Sequence, residues 1–277
     1  MRVPALLAML CALALPLADG AKSQPLSPDS ELTYADLADL ALAAPIVARA
    51  EIKRATRLRD ERAVGVPPGH VRYYIEAELQ SLIRSSEAVA ARVSYLVDAP
   101  LDADGRRPRL KDREVLLLAA PVRGNSSELR LTAPDAQIDW LPEREQAIRA
   151  ILTEAAAPRA PGIVTGIGNA FSVAGALPGE SETQIFLSTS DGRPVSLSVL
   201  RRPNQRPRWS VSLSEIVESA SPPPQRDTLL WYRLACFLPE SLPQGSMESM
   251  DREQLAIARA DYRMIMQNLG ACPRNRQ

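Results

Sequence analysis

The sequence predicts an α+β protein: a small N-terminal β-barrel, OB-like, with flanking helices, then an antiparallel β-meander packed on C-terminal helices. Three observations predict it. Five strand-like segments precede one amphipathic helix, the inventory of a small closed barrel. Beyond a Pro/Gly-containing stretch, three strands alternate one apolar with one serine-rich face. Two helix-forming segments then close the chain and can cover that apolar face.

The barrel strands are read from period-2 alternation. Ile46, Ala48, Ala50 and Ile52 alternate with Val47, Arg49, Glu51 and Lys53. In "VRYYIEAELQ", Val71, Tyr73, Ile75, Ala77 and Leu79 share one face, and Arg72, Tyr74, Glu76, Glu78 and Gln80 the other. Val93, Tyr95 and Val97 mark a third strand, the almost wholly apolar "EVLLLAAPV" (114–122) a central fourth, and "ELRLT" (128–132) a fifth. Asp104-Gly105 and Gly124-Asn125 supply turns. Ahead of the strands, Thr33 and Asp36 make a capping box for a short helix stopped by Pro45. Behind them, Pro142 opens a helix carrying Ala147, Ile148, Ile151, Leu152 and Ala155 along one side. "APRAPG" (157–162) reads as a linker, giving a barrel domain over 32–156 and a second domain over 163–277.

In the second domain 183–189 is a strand, Asp191-Gly192 a hairpin turn, and Val195, Leu197 and Val199 alternate with serines. After "RRPNQRPR", Trp209, Val211 and Leu213 alternate with Ser210, Ser212 and Ser214. A helix follows Pro222-Pro223-Pro224 over 227–238. Asp251 and Gln254 cap another, with Leu255, Ala258, Tyr262, Ile265 and Leu269 in one stripe and Gly270 at its end.

The first residues set the expected compartment. Arg2 is a positive start, Val3 to Leu17 is uncharged and mostly apolar, and Ala18-Asp19-Gly20 places small residues at a cleavage site, so 1–20 reads as a signal peptide. The run is shorter than the roughly 20 residues of a transmembrane helix and contains two prolines. Leu10 before Cys11 is too large for a lipobox. Residues 21–31 read as a flexible leader. The mature chain is expected to be periplasmic or secreted, without a membrane span. Removing Arg2 and Asp19 leaves basic and acidic residues balanced, which argues against nucleic acid as a partner. Cys236 and Cys272, the two cysteines left, are expected to form a disulfide, with the connection 238–251 long enough to bring the helix ends together.

Catalytic candidates are few. Gly179-Glu180-Ser181-Glu182-Thr183 nears the G-x-S-x-G elbow, but Thr183 replaces the closing glycine and a strand, not a helix, follows. Ser181 is therefore read as the entrance of a strand. His70, the single histidine, sits in a proline-flanked loop. Glu76 and Glu78 share a strand face with Cα atoms ~6.6 Å apart, a spacing paired carboxylates use in glycosidases. A polar strand face is the competing reading. "GIGNAF" (166–171) opens no helix and binds no dinucleotide; no cofactor and no metal site are expected. The most specific binding candidate is the loop carrying Arg201, Arg202, Arg206 and Arg208, with Trp209 available for stacking. No acidic residue lies between Asp191 and Glu215 to neutralise it. A solvated hairpin tip is the plain alternative.

The signal-peptide-like start, the strand-rich front half and the cysteine segment "CFLPESLP" (236–243) together resemble an uncharacterised family of exported proteins from GC-rich Gram-negative bacteria. The resemblance implies export and brings no activity and no site residues. The expected function is a non-enzymatic periplasmic binding or assembly protein of the cell envelope, its partner an envelope component or protein of unknown identity. A carboxylate-dependent envelope hydrolase using Glu76, Glu78 or His70 is the second reading.

Overall fold

Alternating side chains close the first five strands into a barrel. The computed structural model describes residues 32–214 and 220–276. The signal-peptide and leader readings, Cys11 included, fall outside these residues. Strands β1 (Ile46–Arg57), β2 (His70–Arg84), β3 (Arg92–Pro100), β4 (Glu114–Val122) and β5 (Asn125–Leu131) run in the order β1-β2-β3-β5-β4, and β4 pairs back onto β1. The β3–β5 contact is parallel, through Ser94 and Glu128, and the other barrel pairings are antiparallel. This is the closed OB-like barrel the sequence predicts. A three-residue strand, β6 (Gln137–Asp139), lies beside β4 and is too short to leave a periodic signal.

The composition of β4 follows from its position. Val115, Leu117 and Ala119 point into the barrel with Ile46, Ile52, Ile75 and Tyr95. Leu116 and Leu118 point outward and are also buried, beneath α1 (Tyr34–Ala43) and α2 (Pro142–Ala156). A strand covered on both faces has no polar side to display, which is why 114–122 is almost uniformly apolar.

The second sheet is an antiparallel meander of four strands, β7 (Val164–Ala174), β8 (Ser181–Thr189), β9 (Val195–Arg201) and β10 (Arg208–Ser212). The alternation predicts three; β7 is the addition, and it contains the "GIGNAF" stretch. The β8–β9 turn uses Gly192 at φ +71°, a conformation costly for a residue with a Cβ. The apolar face of this sheet (Ala170, Ile185, Leu197, Val199, Trp209, Val211) meets α3 (Leu229–Ala235), α4 (Arg252–Leu269) and the outward residues of the barrel in one continuous hydrophobic cluster. The described residues form a single compact unit, and 157–162 joins α2 to β7 within it. Both anticipated capping boxes are present: Thr33 with Asp36 on α1, and Asp251 with Gln254 on α4.

The chain ends as a strap. The sulfurs of Cys236 and Cys272 meet, with Cα atoms 5.3 Å apart. Beyond Cys272 the backbone N–H groups of Asn275 and Arg276 donate to the buried carboxylate of Asp36. Arg274 pairs with Asp39 and Arg276 with Asp135. Burial alone would raise the pKa of Asp36, but the N–H groups of Asn275, Thr33 and Arg276 and the Thr33 hydroxyl outweigh it and hold the pKa below the usual aspartate value. The Arg276 guanidinium does the same for Asp135. Depressed folded-state pKa values give stability that is complete above the unfolded pKa of about 3.9 and is lost as pH falls through the folded values. Thermal melts should therefore hold level from pH 7 to about 5 with respect to these two groups and drop below about 3.8. An Asp36→Asn variant should show a shallower drop; one with the parent's full acid sensitivity would exclude the strap as its source.

Candidate functional site

The two sheets present the sequence candidates very differently. On the outer barrel face, Glu76 of β2 stands opposite Arg54 of β1, and Glu78 opposite Glu51 with Lys53 nearby. Glu76 lies 3.9 Å from Arg54 and Glu78 3.7 Å from Lys53, all substantially exposed. Neither glutamate lines the recess at the β9–β10 turn or the cleft beside α1. His70 opens β2, and its Nδ1 is 3.0 Å from the Pro68 carbonyl oxygen. No carboxylate or hydroxyl among the described residues hydrogen-bonds to it. Ser181 is buried and begins β8, paired with Ala174 and Arg201, so the near-elbow is a hairpin entrance that follows Gly179 at φ +83°. Among the described residues no three His, Cys, Asp or Glu side chains gather as a metal site requires.

The arginine segment divides between the two faces of the second sheet. Arg201 continues the inward parity of Leu197 and Val199 and meets α4. Its Nε donates to Asp261 Oδ1 at 2.7 Å and its Nη2 lies 2.5 Å from the same oxygen. Asp261 is fully buried, and its Oδ2 accepts from the Thr183 hydroxyl, which is 3.2 Å from Ser172 Oγ. Arg201 is therefore a structural ion-pair partner, not a free ligand-binding cation. Trp209 is corrected for the same reason. It shares the apolar face with Val211, is 6% exposed, and its indole N–H has no partner among the described residues, so it packs in the core and is not offered for stacking.

Arg202, Arg206 and Arg208 behave otherwise. They are exposed, and none has a side-chain hydrogen bond or ion pair among the described residues. With Leu200 and Gln205 they line a recess of about 90 Å3 at the β9–β10 turn. Asn204 takes φ +58° to close that turn, and the Gln205 N–H donates to the Arg202 carbonyl. Pro203 and Pro207 on either side limit its backbone freedom, so little entropy remains to be lost on binding. The recess is far smaller than the roughly 300–1,000 Å3 of a small-molecule pocket. It fits an anionic group and not a whole ligand, and guanidinium forks suit phosphate or carboxylate.

The sheet register adds what the sequence reading missed. Val173, Glu182, Leu200 and Arg208 form one exposed row across β7, β8, β9 and β10. The β7–β8 turn (175–180) lies at the same end of the sheet as the arginine turn and carries Leu177, 58% exposed. For Leu200 and Arg208 the signal was available in the sequence, since both have the parity of the serine-rich face.

A larger cleft of about 290 Å3 opens beside α1, lined by Thr33, Tyr34, Arg226, Asp227, Trp231 and Asn275 among others. Arg226 lies 5.1 Å from the Trp231 ring centroid and 4.0 Å from Asp227, so a carboxylate shares the cleft with its one cation. No helix among the described residues is long and apolar enough to cross a membrane. Neither a scan of protein-family models nor a search of curated proteins finds a match to this chain.

Proposed function

We propose that this chain is a non-enzymatic binding or assembly protein of the bacterial cell envelope, exported to the periplasm, and that it holds an anionic group at the arginine turn. The observation that carries this reading is the convergence of Arg202, Arg206 and Arg208, without acidic partners among the described residues, on a recess of headgroup size. The paired cysteines favour an oxidising compartment, in keeping with the signal-peptide character of residues 1–20 and with the proposed kinship to exported Gram-negative proteins.

Exposed contacts of this kind contribute roughly 1 kcal/mol or less each and are screened by salt. Residues 21–277 should therefore bind isolated envelope material weakly at low salt and lose most of that binding at 0.5 M salt. The variant with Arg202, Arg206 and Arg208 all replaced by serine should not bind even at low salt. Equal binding by variant and parent would remove the site. Turnover of peptidoglycan fragments that disappears in Glu76→Gln or Glu78→Gln would transfer the conclusion to the carboxylate hydrolase.

A further inference from the structure

We infer that the arginine end of the second sheet docks on the surface of an anionic lipid bilayer, with the β7–β8 turn as an apolar finger beside the arginine turn. The inference rests on the anion-binding reading above and names the anion's source. The two turns project from the same end of the sheet. One exposes Ala176, Leu177 and Pro178; the other exposes Arg202 and Arg206, with Arg208 at its base. Leu177 and Val173 are 58% and 55% exposed, and Leu200 on the neighbouring strand is also exposed. Apolar tips beside guanidinium groups match a bilayer surface, where side chains enter the acyl boundary while arginines meet phosphates. A soluble anion would use the arginines and leave Leu177 and Val173 in water.

Two carboxylates share this end and oppose the attraction. Glu180 folds back under its own turn, its Oε2 3.4 Å from the Leu177 N–H. Glu182 accepts a hydrogen bond from the Gln184 amide at 2.7 Å and lies one row behind the tips. Arg202 and Arg206 thus lead, Arg208 shares its row with the engaged Glu182, and Glu180 is held by its own turn. Three unpaired arginines outweigh two engaged glutamates, so the docking is selective for anionic over zwitterionic lipid and depends on salt.

The test is co-sedimentation of residues 21–277, which contain the compact unit, with phosphatidylcholine vesicles with and without 30% phosphatidylglycerol (roughly the anionic share of a charged leaflet) at low salt. Binding should require the anionic lipid and weaken about fivefold for each Arg→Ser replacement at 202, 206 or 208. Leu177→Asp, at an exposed turn where the fold is indifferent, should weaken it about tenfold. Glycerol phosphate at millimolar concentration should not displace the vesicles. Loss of binding in the arginine variants with parental binding by Leu177→Asp, or displacement by glycerol phosphate, overturns the membrane inference and leaves the anion site. Parental vesicle binding by the triple arginine variant overturns both.

Discussion

Reducing the Cys236–Cys272 bond should cost this protein roughly 4 kcal/mol of stability, from the chain entropy of a loop whose ends are 36 residues apart. The bond joins two helix ends. Cys236 caps α3, and Cys272 lies two residues beyond Gly270, whose φ of +71° turns the chain out of α4. The connection 239–251, with a single 3-10 turn at Gln244–Met247, is long enough to bring those ends within disulfide range, as the cysteine spacing implies. The bond also sets where the C-terminal strap begins, so its loss should free Asn275 and Arg276 from Asp36. Urea unfolding of the parent and of a Cys236→Ser/Cys272→Ser variant should give midpoints separated by that free energy divided by the slope. Mass analysis without reductant should find no alkylated cysteine and a two-proton deficit. Two free thiols in exported protein would refute the pairing, and coincident urea midpoints would refute its energetic role.

Where local physics is decisive, the sequence was sufficient. The capping boxes at Thr33 and Asp251, the bounds of β4 and the α4 stripe of Ala258, Tyr262, Ile265 and Leu269 all depend on neighbours within about one or two helical turns or one strand. β7 is missing from the strands that alternation predicts because its glycines hide the period. Gly166 and Gly168 have no side chain to mark a face, and register shifts at Val164/Gly166 and Ile167/Asn169 break the period besides. The candidate site was half legible. The absence of acidic residues between 191 and 215 is in keeping with a turn whose Arg202, Arg206 and Arg208 have no ion pair among the described residues. It does not see Asp261, sixty residues on, which takes Arg201. Trp209 shows a conflict inside the sequence itself: its alternation with Ser210 assigned it to the apolar face, and burial prevails over the attraction of an aromatic ring beside arginines. The apolar finger at Leu177 was invisible because proximity of the two turns is a property of the sheet order.

The second large effect should come from Asp261. Its carboxylate has no exposure, and its partners are the Arg201 guanidinium and the Thr183 hydroxyl, with Ser172 next in line. Such a group is stabilised by its partners and by little else, since burying a charge costs several kcal/mol before pairing. Asp261→Ala should destabilise the protein by about 3 kcal/mol, toward the low end for a broken buried pair because Arg201 is 30% exposed and can recover some hydration. At about 2–4 °C per kcal/mol for a chain of this size, the melting temperature should fall by roughly 6–12 °C. Arg201→Met should be at least as harmful, because it leaves the carboxylate buried with hydroxyls alone. Combining Arg201→Met with Asp261→Leu should recover part of the loss, as the apolar pair removes both desolvated charges together. A double-mutant cycle in urea reads this directly. Additive losses would show that Arg201 and Asp261 do not depend on each other, and an Asp261→Ala variant within 1 kcal/mol of the parent would show that the pair is incidental to holding α4 on the sheet. Because Arg201 adjoins the arginine turn, the same variants separate structure from binding: loss of α4 packing with intact anion binding at Arg202, Arg206 and Arg208 is the outcome that the division of the segment between two faces requires.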